Sequence, residues 1–220
     1  MIFTGLQKLD EFFPKGIPNG VIIDIFGGNG TGKTQLLLQL SVNSIKNDGR
    51  VLYFDTTGEF RPERILQIQK QFKIQSNPLH QIIVSRLTNT SEQIKSIKNL
   101  ENTDFSLIVI DNVTDLFSYE YKKDELTFEK NSLFMKYMYE LSKLAITKKI
   151  PIIVTNMIRN IDGKEVENMK NSIDLFTHIK IHLFKNSSKF TGTIYWALSK
   201  KSFSYQIHES GLSDCAEDSC

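Results

Sequence analysis

An apolar run, VIIDIF (residues 21–26), passes without a break into GGNGTGKT (27–34), and the apolar-periodic segment QLLLQLSVNSIK (35–46) follows at once. No other feature constrains the fold as tightly. The eight residues satisfy G-x-x-x-x-G-K-[ST] in the context that gives this pattern its meaning, with a buried strand before it and a helix after it. Glycines let successive backbone N–H groups turn toward one anion, and the helix dipole adds partial positive charge at the same point. The expected cradle is Gly27, Gly28, Asn29, Gly30, Thr31 and Gly32, with Gln35 opening the helix. Lys33 is placed to reach β- and γ-phosphates, and Thr34 carries a hydroxyl able to ligate Mg²⁺.

The apolar runs that follow, VLYFD (51–55), IIVS (82–85), LIVID (107–111) and IPIIVT (150–155), have strand length. Between them lie helical patterns: RPERILQIQKQF (61–72), with Ile65, Ile68 and Phe72 on one side, a polar stretch around 91–100, and a long amphipathic stretch over 128–148. Alternating β and α segments whose strands read as buried on both faces predict an α/β fold, with a mostly parallel central sheet flanked by helices. From residue 176 the texture changes. In FTHIKIHLF, Thr177, Ile179, Ile181 and Leu183 alternate with His178, Lys180 and His182, as in a half-exposed antiparallel strand, and GTIYWAL and FSYQI read as its partners. With no cysteine or acid at ligand spacing, the histidines read as a solvated strand face rather than a metal pair.

One domain over residues 1–214 is expected, followed by an acidic, disordered tail over 215–220. The two cysteines, Cys215 and Cys220, fall in that tail and read as reduced thiols. With 27 basic and 25 acidic residues the net charge is only +2, so any polyanion site must be local. Neither a membrane-length apolar run nor a signal-peptide pattern is visible, and a cytoplasmic protein is expected.

A triphosphate site of this kind needs a second half, an acidic residue at the end of a neighbouring buried strand. LIVID supplies Asp111 for the Mg²⁺ shell. Because no NKxD motif marks a guanine pocket, ATP with Mg²⁺ is the expected ligand. The end of VLYFD is followed by DTTGEFRPER (55–64), where acidic, hydroxyl and glycine residues crowd a strand end before Pro62 opens a helix.

In this order, GGNGTGKTQL, FDTTGEFRPERI, LIVIDN and IPIIVTNMI resemble the core of the RecA/RadA recombinase family, and the pattern is most similar to that of archaeal RadB-type paralogues. The resemblance extends from FTGLQKLDEFF to QIHESGLSD and implies a RecA-like ATPase core. It implies that Arg64 packs against the adenine; read alone, Arg64 is equally a surface helix arginine. Thr57 falls where the family carries a water-activating glutamate, and Met157, after Asn156, falls where it carries a glutamine that senses the γ-phosphate. Thr57 is no general base near neutral pH, and Met157 cannot hydrogen-bond a phosphate. Glu59, two residues on past Gly58, is the alternative catalytic carboxylate. The resemblance therefore implies ATP binding with weak hydrolysis, in which Lys33 serves both binding and catalysis.

For the family, DNA contacts come from loops at the sheet's C-terminal edge. SYEYKKDEL (118–126) interleaves Tyr121 with Lys122 and Lys123, which suits base stacking and phosphate pairing, although its acidic residues also fit an ordinary solvated loop. Arg159, in MIRNIDGKEVENMKNS (157–172), is the candidate contact from a second loop. The partners implied are single-stranded DNA, the main recombinase or other recombination proteins, with a homo-oligomer also open and no membrane. A KaiC-like regulatory ATPase acting on protein partners is the rival reading.

Overall fold

Each apolar run up to residue 155 becomes a strand of one sheet, with helices in the intervals. The elements are α1 (Gln7–Asp10), β1 (Ile22–Gly27), α2 (Lys33–Ile45), β2 (Val51–Asp55), α3 (Pro62–Gln71), β3 (Ile82–Arg86), α4 (Thr90–Ser96), β4 (Leu107–Asp111), α5 (Asp115–Glu120), α6 (Thr127–Lys148), β5 (Ile152–Ile161), β6 (Lys164–Glu167), α7 (Lys170–Ile173), β7 (Ile179–Asn186), β8 (Lys189–Trp196), β9 (Ser199–His208) and β10 (Gly211–Asp214). The computed structural model describes residues 1–46, 49–72, 77–98, 100, 103–161, 163–197 and 199–215. The expected tail beyond Cys215 lies outside the described residues, and Cys215 itself is disulfide-bonded rather than the reduced thiol expected.

The strand order is β10-β9-β8-β7-β1-β5-β4-β2-β3, with β6 paired to β5 off this path. From β7 to β3 all neighbours run parallel, which brings the carboxyl ends of β1, β2, β4 and β5 to one edge. Because side chains alternate across a strand, Ile23, Ile25, Tyr53 and Val109 pack against α2 and α3, while Ile22, Leu52, Ile108 and Ile110 pack against α5 and α6. Leu36, Leu37 and Leu40 of α2 and Phe134, Tyr137 and Leu141 of α6 complete these two cores.

Some expectations need correction. The strand at 82–86 is not buried on both faces: it is the edge, where Ile83 and Val84 are 40% and 39% exposed. An apolar run four or five residues long does not reveal whether both of its sides have neighbours. The strand from 179 is antiparallel only to β8; on its other side it runs parallel to β1. The sheet therefore changes sense at β7.

Of the face expected to be solvated, His178 is exposed, whereas Lys180 and His182 are covered. Lys180 reaches Asp24 of β1 (3.5 Å), Glu167 of β6 and Asp174 after α7. The ring of His182 stacks on Phe26 at 4.5 Å, and burial pushes this imidazole below its usual range. The strand pair β5–β6 and α7 supply the cover, a non-local arrangement that strand alternation does not encode. Asp24 is fully buried and, beyond the Lys180 ion pair, its carboxyl has no hydrogen-bond partner among the described residues; burial, with Glu167 beside it, raises it well above the usual range. Burial alone would lower Lys180, but Asp24, Asp174 and Glu167 outweigh it and hold the ammonium above its usual range.

Removing one partner of a buried ion pair leaves the other uncompensated. Lys180→Ala is therefore expected to lower unfolding free energy by about 3 to 5 kcal/mol in urea titration. An unchanged midpoint would show that the cluster does not hold β6 and α7 to the sheet.

Candidate nucleotide-binding site

The phosphate loop leaves β1 at Gly27 and enters α2 at Lys33, with Leu36 N–H donating to the Gly32 carbonyl (2.8 Å) in the first helical turn. Gly27 cannot be replaced without displacing the chain, since a Cβ there would lie 2.0 Å from the Leu183 carbonyl oxygen. The loop is also tied from within and from the far end of the sheet. The Thr31 hydroxyl donates to Gly28 O (2.9 Å), and the Tyr205 hydroxyl of β9 donates to Thr31 O (2.6 Å). Lys33 Nζ curls over the loop to the carbonyls of Gly27 (2.9 Å) and Gly28 (2.8 Å). Burial lowers this ammonium from the usual lysine range, opposed by the nearby carboxylates of Asp111, Asp115 and Glu59.

Asp111, at the end of β4, gathers hydroxyls from three neighbouring elements. Its Oδ2 accepts from Thr34 of α2 (2.8 Å) and Tyr53 of β2 (2.9 Å), and its Oδ1 accepts from Thr155 of β5. Burial pushes the Tyr53 hydroxyl well up, reinforced by Asp111, so it stays protonated and donates. A threonine hydroxyl and a carboxylate at this separation are hard oxygen donors of the kind Mg²⁺ takes while keeping most of its waters. These residues fit a Mg²⁺–triphosphate: Thr34 and Asp111 would hold the metal, whose charge would offset that of the phosphates.

The rim at DTTGE is a turn organised by Asp55. Its Oδ1 accepts Thr57 N–H (3.0 Å), the Thr57 hydroxyl (3.1 Å) and Gly58 N–H (2.7 Å), and its Oδ2 accepts Phe60 N–H (3.3 Å). Gly58 takes a left-handed φ of 80°, which the turn requires. Arg86 from the edge strand donates to the Asp55 carbonyl at 3.0 Å. Thr56 exchanges hydrogen bonds with the backbone of Asn112 and is buried. The Thr57 hydroxyl is thus engaged with Asp55 while accepting Glu59 N–H at 3.3 Å. Glu59 itself is exposed.

A cavity of about 920 Å³ brings Lys33, Thr57, Glu59, Arg64, Asp111 and Met157 together along the carboxyl edge of the sheet. Arg64 lies exposed on α3 with its guanidinium 3.5 Å from the Glu209 carbonyl. Gln35 also reaches this segment, donating to His208 O (3.2 Å). Asn156 does not face the cavity. It is buried, donating to Glu167 Oε1 (3.1 Å) and Asn168 O (2.8 Å).

Both expected DNA loops carry regular structure. The first begins inside α5, and Tyr121 closes that helix with its N–H on Phe117 O (3.1 Å). Lys122 Nζ sits 4.2 Å from the centre of the Tyr119 ring, Tyr119 is 68% exposed, and Lys123 is exposed. The second is a pair of antiparallel strands, β5 and β6, with Arg159 exposed opposite Val166. The resemblance implies loops in both places, whereas D-G between alternating residues is a hairpin signal.

Asp115, at the start of α5, lines the same cavity and was not anticipated. Burial, with Asp111 next, raises its carboxyl above the usual range. Tyr53 and Tyr205 were also missed, although a tyrosine inside the buried run VLYFD signals a hydroxyl in need of a partner.

Fold and site together define a RecA-like P-loop core. The Rad51 family model matches residues 1–183, and the chain belongs to the RecA/Rad51 recombinase family. It is 33% identical over 162 residues to the DNA repair and recombination protein RadB of Thermococcus sibiricus, covering 72% of this chain and 68% of that protein. It is 32% identical over 168 residues to the DNA repair and recombination protein RadA of Aeropyrum pernix (71% of this chain, 53% of that one). To the DNA repair protein RAD51 homolog B of Zea mays it is 31% identical over 173 residues (73% and 51%), so the chain spans about half the length of these last two relatives. The KaiC-like alternative finds no support in these matches. No helix among the described residues is long and apolar enough to cross a membrane.

A charge-assisted contact is worth about 1.5 to 3 kcal/mol, roughly ten- to a hundredfold in affinity. Lys33→Ala is expected to weaken Mg·ATP binding by that factor in calorimetric titration, with an unchanged circular dichroism spectrum. Equal affinities would contradict the assignment of the loop.

Proposed function

We propose that this protein is an ATP-binding recombinase paralogue that assists recombination and repair by acting on single-stranded DNA or on the main recombinase, and that ATP serves it as a slowly hydrolysed switch. The observation that carries this reading is the engagement of Thr57 in the Asp55 turn, where the family has its water-activating glutamate. Met157, which lines the cavity, adds to it, since a thioether cannot report a γ-phosphate by a strong hydrogen bond. Loss of a general base typically costs about 10²- to 10⁴-fold in rate. The names of the RadB and RadA relatives, DNA repair and recombination proteins, support the cellular setting.

The DNA contact proposed is the segment from Tyr119 to Lys123, with Arg159 on the adjacent strand pair. Tyr119 lines the nucleotide cavity and carries Lys122 over its ring, so ligand-dependent movement at the cavity would reach an exposed aromatic and a cation together. With a near-neutral net charge, a few local phosphate contacts dominate.

Fluorescence anisotropy with a labelled oligonucleotide is expected to show modest binding that weakens about twentyfold from 50 to 200 mM salt, as roughly three phosphate contacts on a single strand predict. The double variant Lys122→Ala/Lys123→Ala should bind more weakly with a shallower salt slope, and absence of binding at low salt would refute DNA as the target. In phosphate-release assays, Thr57→Glu is expected to raise a slow rate by at least about tenfold, within the range for a restored base. A wild-type rate that Thr57→Glu only lowers would contradict the slow-switch reading.

A further inference from the structure

We infer that Asp115 supplies the carboxylate that position 57 lacks and is the base for the residual hydrolysis of ATP at this site, an inference that rests on the nucleotide-binding reading above. Asp115 is half-buried and lines the cavity with Lys33, and its carboxylate makes no hydrogen bond among the described residues. The carboxylates of Asp111, Asp115 and Glu59 all favour the charged form of Lys33. A lysine that reaches the γ-phosphate shares its cavity with the Asp115 carboxylate.

The start of α5 is rigidly held, which is what a base needs in order to meet water in one geometry. Asn112 Oδ1 accepts from the Thr114 N–H (2.9 Å) and hydroxyl (3.1 Å). The Thr114 hydroxyl also lies 2.7 Å from Asn156 Oδ1 and accepts from Asn168 Nδ2 (2.8 Å), and Thr114 is fully buried. This network fixes the residue directly before Asp115 and leaves the carboxylate itself uncommitted. The competing groups are less available. The Thr57 hydroxyl belongs to the Asp55 turn, and moving Glu59 inward by two residues would break the Asp55 bonds to Thr57, Gly58 and Phe60.

In the step proposed, a water oxygen attacks the γ-phosphorus and one of its protons passes to an Asp115 carboxylate oxygen. The bond from the γ-phosphorus to the bridging oxygen breaks, and its electron pair leaves with ADP. Proton and charge balance without any further reactant. Asp115 then returns its proton to solvent.

Single-turnover phosphate release and Mg·ATP affinity, measured on the wild type, Asp115→Asn, Asp115→Glu and Glu59→Gln, test this. Asp115→Asn should slow the chemical step by about 10²-fold or more while affinity changes less than about threefold, and Asp115→Glu should recover part of the rate. Equal release rates for the wild type and Asp115→Asn would overturn the inference, as would loss of turnover confined to Glu59→Gln. A wild type that binds Mg·ATP and releases no phosphate also overturns it but leaves the nucleotide-binding reading intact. A wild type that binds no Mg·ATP removes both. Thermal melting of each variant separates loss of the fold from loss of the base.

Discussion

The Asp111 carboxylate, held by hydroxyls of Thr34, Tyr53 and Thr155, is the junction on which the rest of the structure depends. It joins β4 to the first turn of the phosphate-loop helix and to the strands on either side of it. A carboxylate this deep is tolerated only with donors around it, and here three side chains from three elements provide them. The phosphate loop, the proposed Mg²⁺ position and the carboxyl edge of the sheet therefore share one polar centre. Disturbing it affects fold and ligand site alike.

Around that centre the cavity has an uneven distribution of chemistry. Its phosphate-binding side has backbone donors, a lysine and hard oxygen ligands, with every group tied by short hydrogen bonds. Its hydrolytic side has a threonine engaged in a turn, a methionine, an exposed glutamate and the half-buried Asp115. On the proposed reading, such a site would stabilise a bound triphosphate more than the transition state for its hydrolysis. Tyr119, with Lys122 over its ring, borders the same cavity, and the β5–β6 strand pair carries Arg159. Arg159 also lies within electrostatic reach of Asp115, connecting the strand pair to the cavity.

Much of this was legible in the sequence wherever the physics is local. A glycine-rich run between a strand and a helix has one common anion-binding conformation, so the loop from Gly27 to Thr34 could be placed from residues alone. LIVID placed Asp111 at a strand end for the same reason, and continuous apolar runs gave the parallel core. What could not be read was non-local. The covering of Lys180 and His182 depends on β6 and α7 folding back over β7, and the edge position of β3 depends on the strand order. Asp115 was invisible because an acid opening a helix is ordinary; only its placement in the cavity beside Lys33 makes it notable. The loops implied by the family resemblance carry regular structure here, part of α5 in one and the β5–β6 pair in the other.

On the proposed reading, bound ATP, rather than its turnover, sets the state of the surface from Tyr119 to Lys123 and of the β5–β6 strand pair. Amide hydrogen exchange, followed by mass spectrometry with Mg²⁺ and either a non-hydrolysable ATP analogue or ADP, addresses this directly. The account predicts that the ATP analogue protects the turn at 55–60, the segment 115–123 and strands β5 and β6, and that ADP protects little beyond the phosphate loop. Identical protection with the two nucleotides, or protection confined to residues 27–35 in both, would contradict it.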